Sequence, residues 1–168
     1  EQFTSLGVSS PKYKICRELF CDVADLKFPL ITKPTDRSGS VGVTKVNSAM
    51  ELTNALKEAI NNSFSQTAIV EEFIEGREVS VECISWKGHH YLLAITDKTT
   101  TSAPHFVEIA HTQPAKLSVE LTKKIEQLVM KVLDALHIEN GASHTEIKIT
   151  DNEELFVIEV GARMGGDF

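Results

Sequence analysis

Gly141-Ala142-Ser143-His144-Thr145-Glu146-Ile147-Lys148-Ile149, the polar turn Asp151-Asn152-Glu153-Glu154, and Leu155-Phe156-Val157-Ile158-Glu159-Val160 form the stretch that decides the fold. Apolar alternation on both sides of a polar turn reads as an antiparallel hairpin over 141–149 and 155–160. Strand alternation puts His144, Glu146 and Lys148 on one face, and Glu159 stands 13 residues after Glu146 on the returning strand. Two carboxylates brought together this way repel unless a cation sits between them. Oxygen ligands of that kind suit Mg²⁺, which keeps several waters and takes its remaining ligands from substrate phosphates. Arg163, beyond the second strand, can reach the same phosphates with its planar fork. The bland alternative is a cross-strand surface pattern in which Lys148 neutralises a Glu.

Upstream of the hairpin, alternation and β-branched runs predict strands over 13–16, 29–33, 41–46, 68–73, 78–85, 91–96 and 106–110. Ser48 and Glu51 make a Ser-x-x-Glu capping box that opens a helix running to about Asn61. Leu121, Ile125, Leu128, Val129, Val132 and Leu136 recur at helical spacing, so a second helix must lie on a sheet. A shorter helix over 17–25 is a weaker expectation. Strands dominate without strict alternation with helices, which gives an α+β class with antiparallel sheets. The segment 72–76 reads as a hinge, dividing the chain into 1–74 and 75–168.

Two further stretches bear on chemistry. Lys33-Pro34-Thr35-Asp36-Arg37-Ser38-Gly39-Ser40-Val41-Gly42 is a strand end followed by a small-residue loop. Small residues let backbone N–H groups approach an anion, and Lys33 adds a point charge. Neither G-x-x-x-x-G-K-[ST] nor G-x-G-x-x-G occurs. Val70-Glu71-Glu72-Phe73-Ile74-Glu75-Gly76-Arg77-Glu78 offers carboxylates and main-chain groups that can bond an adenine edge and ribose hydroxyls. Taken singly, the first stretch reads better as a plain hairpin turn and the second as a solvated acidic turn.

Composition narrows the classes. The 168 residues are 42% hydrophobic and carry 17 Lys and Arg against 24 Asp and Glu, a net charge of −7. The basic residues form no stripe that could neutralise a row of phosphates, so nucleic acid is not an expected partner. Nor is a membrane, since no apolar run approaches spanning length. Cys16, Cys21 and Cys83 are odd and sparse in a chain large enough to need no disulfide framework, which points to a reducing cytoplasm. The first residues lack a signal-peptide pattern and an initiator Met, which suggests an excised piece. His89 and His90 point to opposite faces of a strand and read as surface residues. His144-Thr145-Glu146 is half of a zinc-deaminase signature, but no P-C-x-x-C completes it.

Taken in order, the Lys33-Pro34 and Ser38-Gly39-Ser40 loop, Glu71-Glu72-Phe73-Ile74-Glu75-Gly76-Arg77-Glu78, and the Glu146 and Glu159 hairpin ending Glu159-Val160-Gly161-Ala162-Arg163-Met164-Gly165-Gly166-Asp167 resemble the ATP-grasp superfamily. The resemblance covers the chain from about Pro11 to Asp167. It implies a nucleotide held between two α+β lobes, a smaller one over 1–74 with the glycine-rich phosphate loop and a larger one over 75–168 with the metal hairpin. By position, Lys33 would contact the ATP phosphates and the Ser38, Gly39 and Ser40 backbone would wrap them. Glu71 and the main chain of Glu72 and Ile74 would read the adenine edge, and Glu78 would hold the ribose. Glu146 and Glu159 would ligate Mg²⁺, or Mn²⁺ in its place, and Arg163 would stabilise the transferred phosphoryl group or an acyl phosphate. Asp97-Lys98 and His105-Phe106-Val107-Glu108-Ile109-Ala110-His111 look like a segment of carboxylate-amine ligases of the L-amino-acid ligase and carnosine-synthase kind. There the Glu and His of Glu-x-x-His face the substrate, which implies Glu108 and His111.

Gly161 stands where the superfamily usually places Asn, so a metal contact is either missing or supplied by water. An earlier lobe and later elements of the superfamily are lacking, which fits the central portion of a longer enzyme. The implied reaction passes the γ-phosphoryl of ATP to a small carboxylate, and an amine then displaces phosphate to form an amide. Carbamoyl-phosphate or purine-pathway chemistry on the same scaffold is the nearest rival. A nucleotide-binding module without turnover is the rival from another class.

Overall fold

The computed structural model describes residues 2–101, 103 and 106–166. His105 and Asp167, both in the motifs quoted above, lie outside the described residues. The chain forms two compact units, one of Pro11–Phe73 with Thr100–Ile109, the other of Glu1–Ser10, Ile74–Thr99 and Ala110–Phe168. Compared with a division into 1–74 and 75–168, residues 1–10, 74 and 100–109 change sides.

The first unit holds β1 (Tyr13–Cys16), β2 (Leu30–Pro34), β3 (Thr44–Val46), α2 (Ala49–Asn62) and β4 (Ala68–Glu72). Its sheet runs β1-β4-β2-β3, and each neighbouring pair is antiparallel. Leu52, Ala55, Leu56 and Ala59 make the apolar stripe of α2, and they pack on Leu30, Val46, Ala68 and Val70. Because side chains alternate along a strand, Ile31, Lys33, Ile69 and Glu71 occupy the opposite sheet face. At the start of α2 the capping box is rearranged. Ser48 makes no cap bond to the backbone; its hydroxyl donates to Glu51, whose other oxygen accepts from Asn47 N at 2.9 Å.

Two expectations fail in this unit. Residues 17–25 form no helix, because Cys16 and Cys21 are joined by a disulfide with their Cα atoms 5.9 Å apart. Five residues of helix rise about 7.5 Å, more than that link spans. The bond also removes the cysteine argument for a reducing compartment. Strand β3 starts at Thr44 rather than residue 41, since Ser40 and Gly42 take positive φ and Val43 N donates back to Ser40 O.

The second unit holds α1 (Gln2–Ser5), β5 (Arg77–Trp86), β6 (His89–Thr100), α3 (Val119–Ala135), β8 (Gly141–Ile149) and β9 (Leu155–Gly161). Its sheet runs β7-β6-β5-β8-β9, where β7 is Glu108–Thr112 and crosses the unit boundary. The ladders β5–β6, β5–β8 and β8–β9 are antiparallel. Leu121, Ile125, Val129 and Leu133 of α3 cover Val79, Val81, Ile147 and Ile149 on one sheet face. Ser118 caps α3 by accepting from Leu121 N at 3.1 Å. A satellite cluster of Val8, Val132 and Val157 ties in the start of the chain, where Val157 N also donates to Ser9 O at 2.9 Å.

Candidate functional site

In the first unit, Lys33 Nζ lies 2.7 Å from Glu71 Oε1. Register sets this pair, with Glu71 opposite Ile31 and Lys33 opposite Ile69, so the two are diagonal neighbours on the face away from α2. Glu71 is only 6% exposed, and a carboxylate that deep needs a cationic partner. The loop that follows Lys33 is fastened at its base. Thr35 N donates to Thr67 O at 3.1 Å, and the Asp36 carboxylate accepts from Phe64 N and Ser65 N. Its tip is open: Ser38 and Gly39 are exposed, and nothing lies within 4 Å of where a Gly39 Cβ would stand. Ser40 Oγ donates to Phe106 O at 3.3 Å. Glu72 N donates to Lys12 O, and its carboxylate accepts from Lys27 N. Ile74 sits half-buried in the coil between β4 and β5.

The second unit carries a line of alternating charge on the sheet face away from α3. Glu82 hydrogen-bonds His144 Nδ1, and His144 Nε2 donates to Glu146 Oε1 at 3.3 Å. Lys98 Nζ lies 2.6 Å from Glu146 and 3.0 Å from Glu78. Lys148 Nζ closes the line at 2.9 Å from the other Glu78 oxygen. Hydrogen bonding to Glu146 raises His144 to about 9 against the opposing effect of burial, with Glu82 adding to the rise. Burial pushes Glu146 up, but the bonds from His144 and Lys98 outweigh it and hold the carboxyl at about 2. Both groups are therefore charged at neutral pH.

Glu159 stands directly opposite Glu146, and a β-bulge puts it there. Ile149 pairs with Leu155, Lys148 with Phe156 and Ile147 with Val157, and the register then shifts so that Glu146 meets Glu159. Without the shift Ile158 would take that place, and Glu159 would oppose Thr145 of the core face. Re-aiming a side chain in this way is a recurrent use of bulges. Gly161 pairs with His144 and offers no side chain to the face. Arg163 is exposed, with Nη1 donating to Met164 O at 2.8 Å and Nη2 4.0 Å from Glu159.

Strand β7 carries Glu108, half-buried, and His111, exposed. His90 is not a surface residue: its ring bonds Ser85 Oγ at 2.7 Å and Asp134 at 3.1 Å, with only 5% of the side chain exposed. Ser85 is 2% exposed, so this Ser-His-Asp set braces β5 and β6 against α3 rather than presenting a nucleophile. The place of Glu82 beside His144 and of Lys98 between Glu78 and Glu146 adds to the residues expected from the motifs. The period-two run Glu78, Ser80, Glu82 was the available signal.

The family model described as ATP-grasp domain matches residues 26–168, and the chain belongs to that family. Over 99% of its length it is 31% identical to alanine–anticapsin ligase of Bacillus subtilis, covering 40% of that protein. It is also 31% identical to D-alanine–D-alanine ligase of Flavobacterium johnsoniae, over 78% of this chain and 42% of that one. The structure of an L-amino acid ligase from Bacillus licheniformis superposes with a TM-score of 0.81 at 30% identity, covering 98% of this chain and 39% of that one. The chain thus spans about 40% of the length of these relatives.

Proposed function

We propose that this chain is the ATP-handling portion of an ADP-forming ligase that joins a small-molecule carboxylate to an amine through an acyl phosphate. One observation carries the reading: Glu146 and Glu159 are paired across β8 and β9, the second turned there by a bulge, in an ATP-grasp chain. The donor set fits Mg²⁺ or Mn²⁺, since both residues offer hard oxygen ligands and Glu146 already draws an ammonium group to 2.6 Å. Bound there, the ion would neutralise charge on the transferring phosphoryl group.

The chain's own residues position and stabilise. In the first unit, Lys33 would leave Glu71 to meet the phosphates, the Ser38-Gly39-Ser40 backbone would wrap them, and Glu71 and the Glu72 carbonyl would receive the adenine amino group. In the second, the Ile74 main chain would bond the purine edge, Glu78 would hold the ribose, and Arg163 would carry its fork to the phosphoryl group or acyl phosphate. Glu108 and His111 would face the carboxylate or amine substrate. Among the described residues no helix is long and apolar enough to cross a membrane, and we place the reaction in the cytoplasm, where ATP is supplied. A second reading, ATP binding without turnover, rests on Gly161, which adds no ligand beside Glu159.

The test compares thermal melting with and without Mg-ATP for the wild type and Glu159→Ala. ATP near 100 times its Kd stabilises by about 2.7 kcal/mol, which raises Tm by roughly 5 to 10 °C for a chain this size. A Mg-dependent rise that Glu159→Ala abolishes supports the site, and ADP release by the full-length protein on adding carboxylate and amine separates ligation from mere binding. No rise in the full-length protein would sink both readings.

A further inference from the structure

We infer that Glu82 and His144 act as positioning residues that lock the Arg163–Gly165 segment to the metal-ligand strand, so that Glu146 and the segment carrying Arg163 are set as one piece. This rests on the ligase reading above and names its supporting machinery.

The geometry is a three-way clamp. One Glu82 oxygen takes the Nδ1–H of His144, and the other takes the backbone N–H of Gly165 at 3.2 Å. With Nδ1 engaged, His144 turns Nε2 toward Glu146 Oε1 at 3.3 Å. A single carboxylate therefore ties β8 to the chain beyond β9, across a sequence separation of 83 residues on one side and 62 on the other. His144 is buried at 6% exposure, so its ring orientation is fixed by packing as well as by these bonds.

An independent observation comes from Gly165. A Cβ there would stand 3.0 Å from Glu82 Oε1 and 3.1 Å from His144 Nδ1. Its φ is not in the left-handed region, so what an added Cβ would meet is crowding by those two side chains rather than backbone strain. The segment is thus pressed directly onto the bonded pair. Outer partners that orient a metal ligand commonly change metal affinity or activity by roughly 10- to 100-fold when removed.

The experiment measures, in the full-length protein, the Mg²⁺ concentration that gives half of the Mg-ATP melting shift, together with Mg-dependent ADP release. Glu82→Ala and Gly165→Ala should each raise the Mg²⁺ requirement by roughly 10-fold or more, while the nucleotide-free Tm of Gly165→Ala stays close to wild type. Glu82→Gln, which keeps one acceptor, should recover part of the loss. If the wild type responds to Mg²⁺ and all three variants match it, the positioning role is wrong while the ligase reading stands. A fall in Tm with an unchanged Mg²⁺ requirement overturns it too, since the clamp would then only hold the fold. If the wild type itself shows neither a shift nor ADP release, the ligase reading falls and the positioning role falls with it.

Discussion

Thr145 sits at the centre of β8 with its side chain fully buried, and its hydroxyl has no hydrogen-bond partner among the described residues. A buried hydroxyl left unpaired costs about 1 to 3 kcal/mol by mutational measures. Thr145→Val keeps the shape and removes the polar atom, so it should stabilise the protein by about 1 kcal/mol, read as a higher urea midpoint with unchanged slope. A lower midpoint would mean that the hydroxyl has a partner in solution. One residue further on, Glu146 faces the other way into the charged line, and the strand period of two is the whole difference between them.

At the scale of elements, the two long helices begin on serines that do different work. Ser118 Oγ accepts from Leu121 N at 3.1 Å, whereas Ser48 makes no cap bond with its side chain to the backbone. Ser118→Ala should therefore cost about 1 kcal/mol, and Ser48→Ala distinctly less, in parallel chemical-denaturation curves. Equal losses would contradict the assignment of the cap bond. Helix α3 was legible as sequence because an apolar stripe at 3.6-residue spacing is a local pattern, and α2 from the Ser48 and Glu51 spacing at its start. The two serines were not distinguishable there, since Glu51 at the third position after Ser48 makes the stronger-looking box yet bonds Asn47 N instead.

At the scale of the whole molecule, long-range ion pairs decide how strands and loops are fastened. Asp97 on β6 pairs with Arg77 on β5 and accepts from Lys116 N at 3.1 Å, while Arg77 Nη1 donates to Lys116 O at 2.8 Å. The Arg77 hydrogen bond holds the Asp97 carboxyl below its ordinary 3.8, outweighing burial. The folded value is thus lower than the unfolded one, so this stabilisation is fully present above pH 3.8 and is lost as pH falls through the folded value. The Tm gap between wild type and Asp97→Asn should accordingly be widest near neutral pH and shrink below about pH 4. A gap that stays constant down the acid range would remove Asp97 from the acid response.

The strand alternation, the capping-box start of α2, the stripe of α3, the closing hairpin and the carboxylates it carries were all legible in the sequence, because each is written in residues that are near neighbours along the chain. Even there its reach ended at local pattern, since residues 17–25, a weaker helix expectation, form no helix where Cys16 and Cys21 are bonded. Only the tertiary structure decided that a bulge at Glu146 and Ile147 brings Glu159 opposite Glu146, and that Lys98 lies between Glu78 and Glu146. It likewise decided that Glu82 clamps His144 and Gly165. The physical reason is register: a shift of one residue exchanges the two faces of a strand, and register is set by packing between segments far apart in the chain.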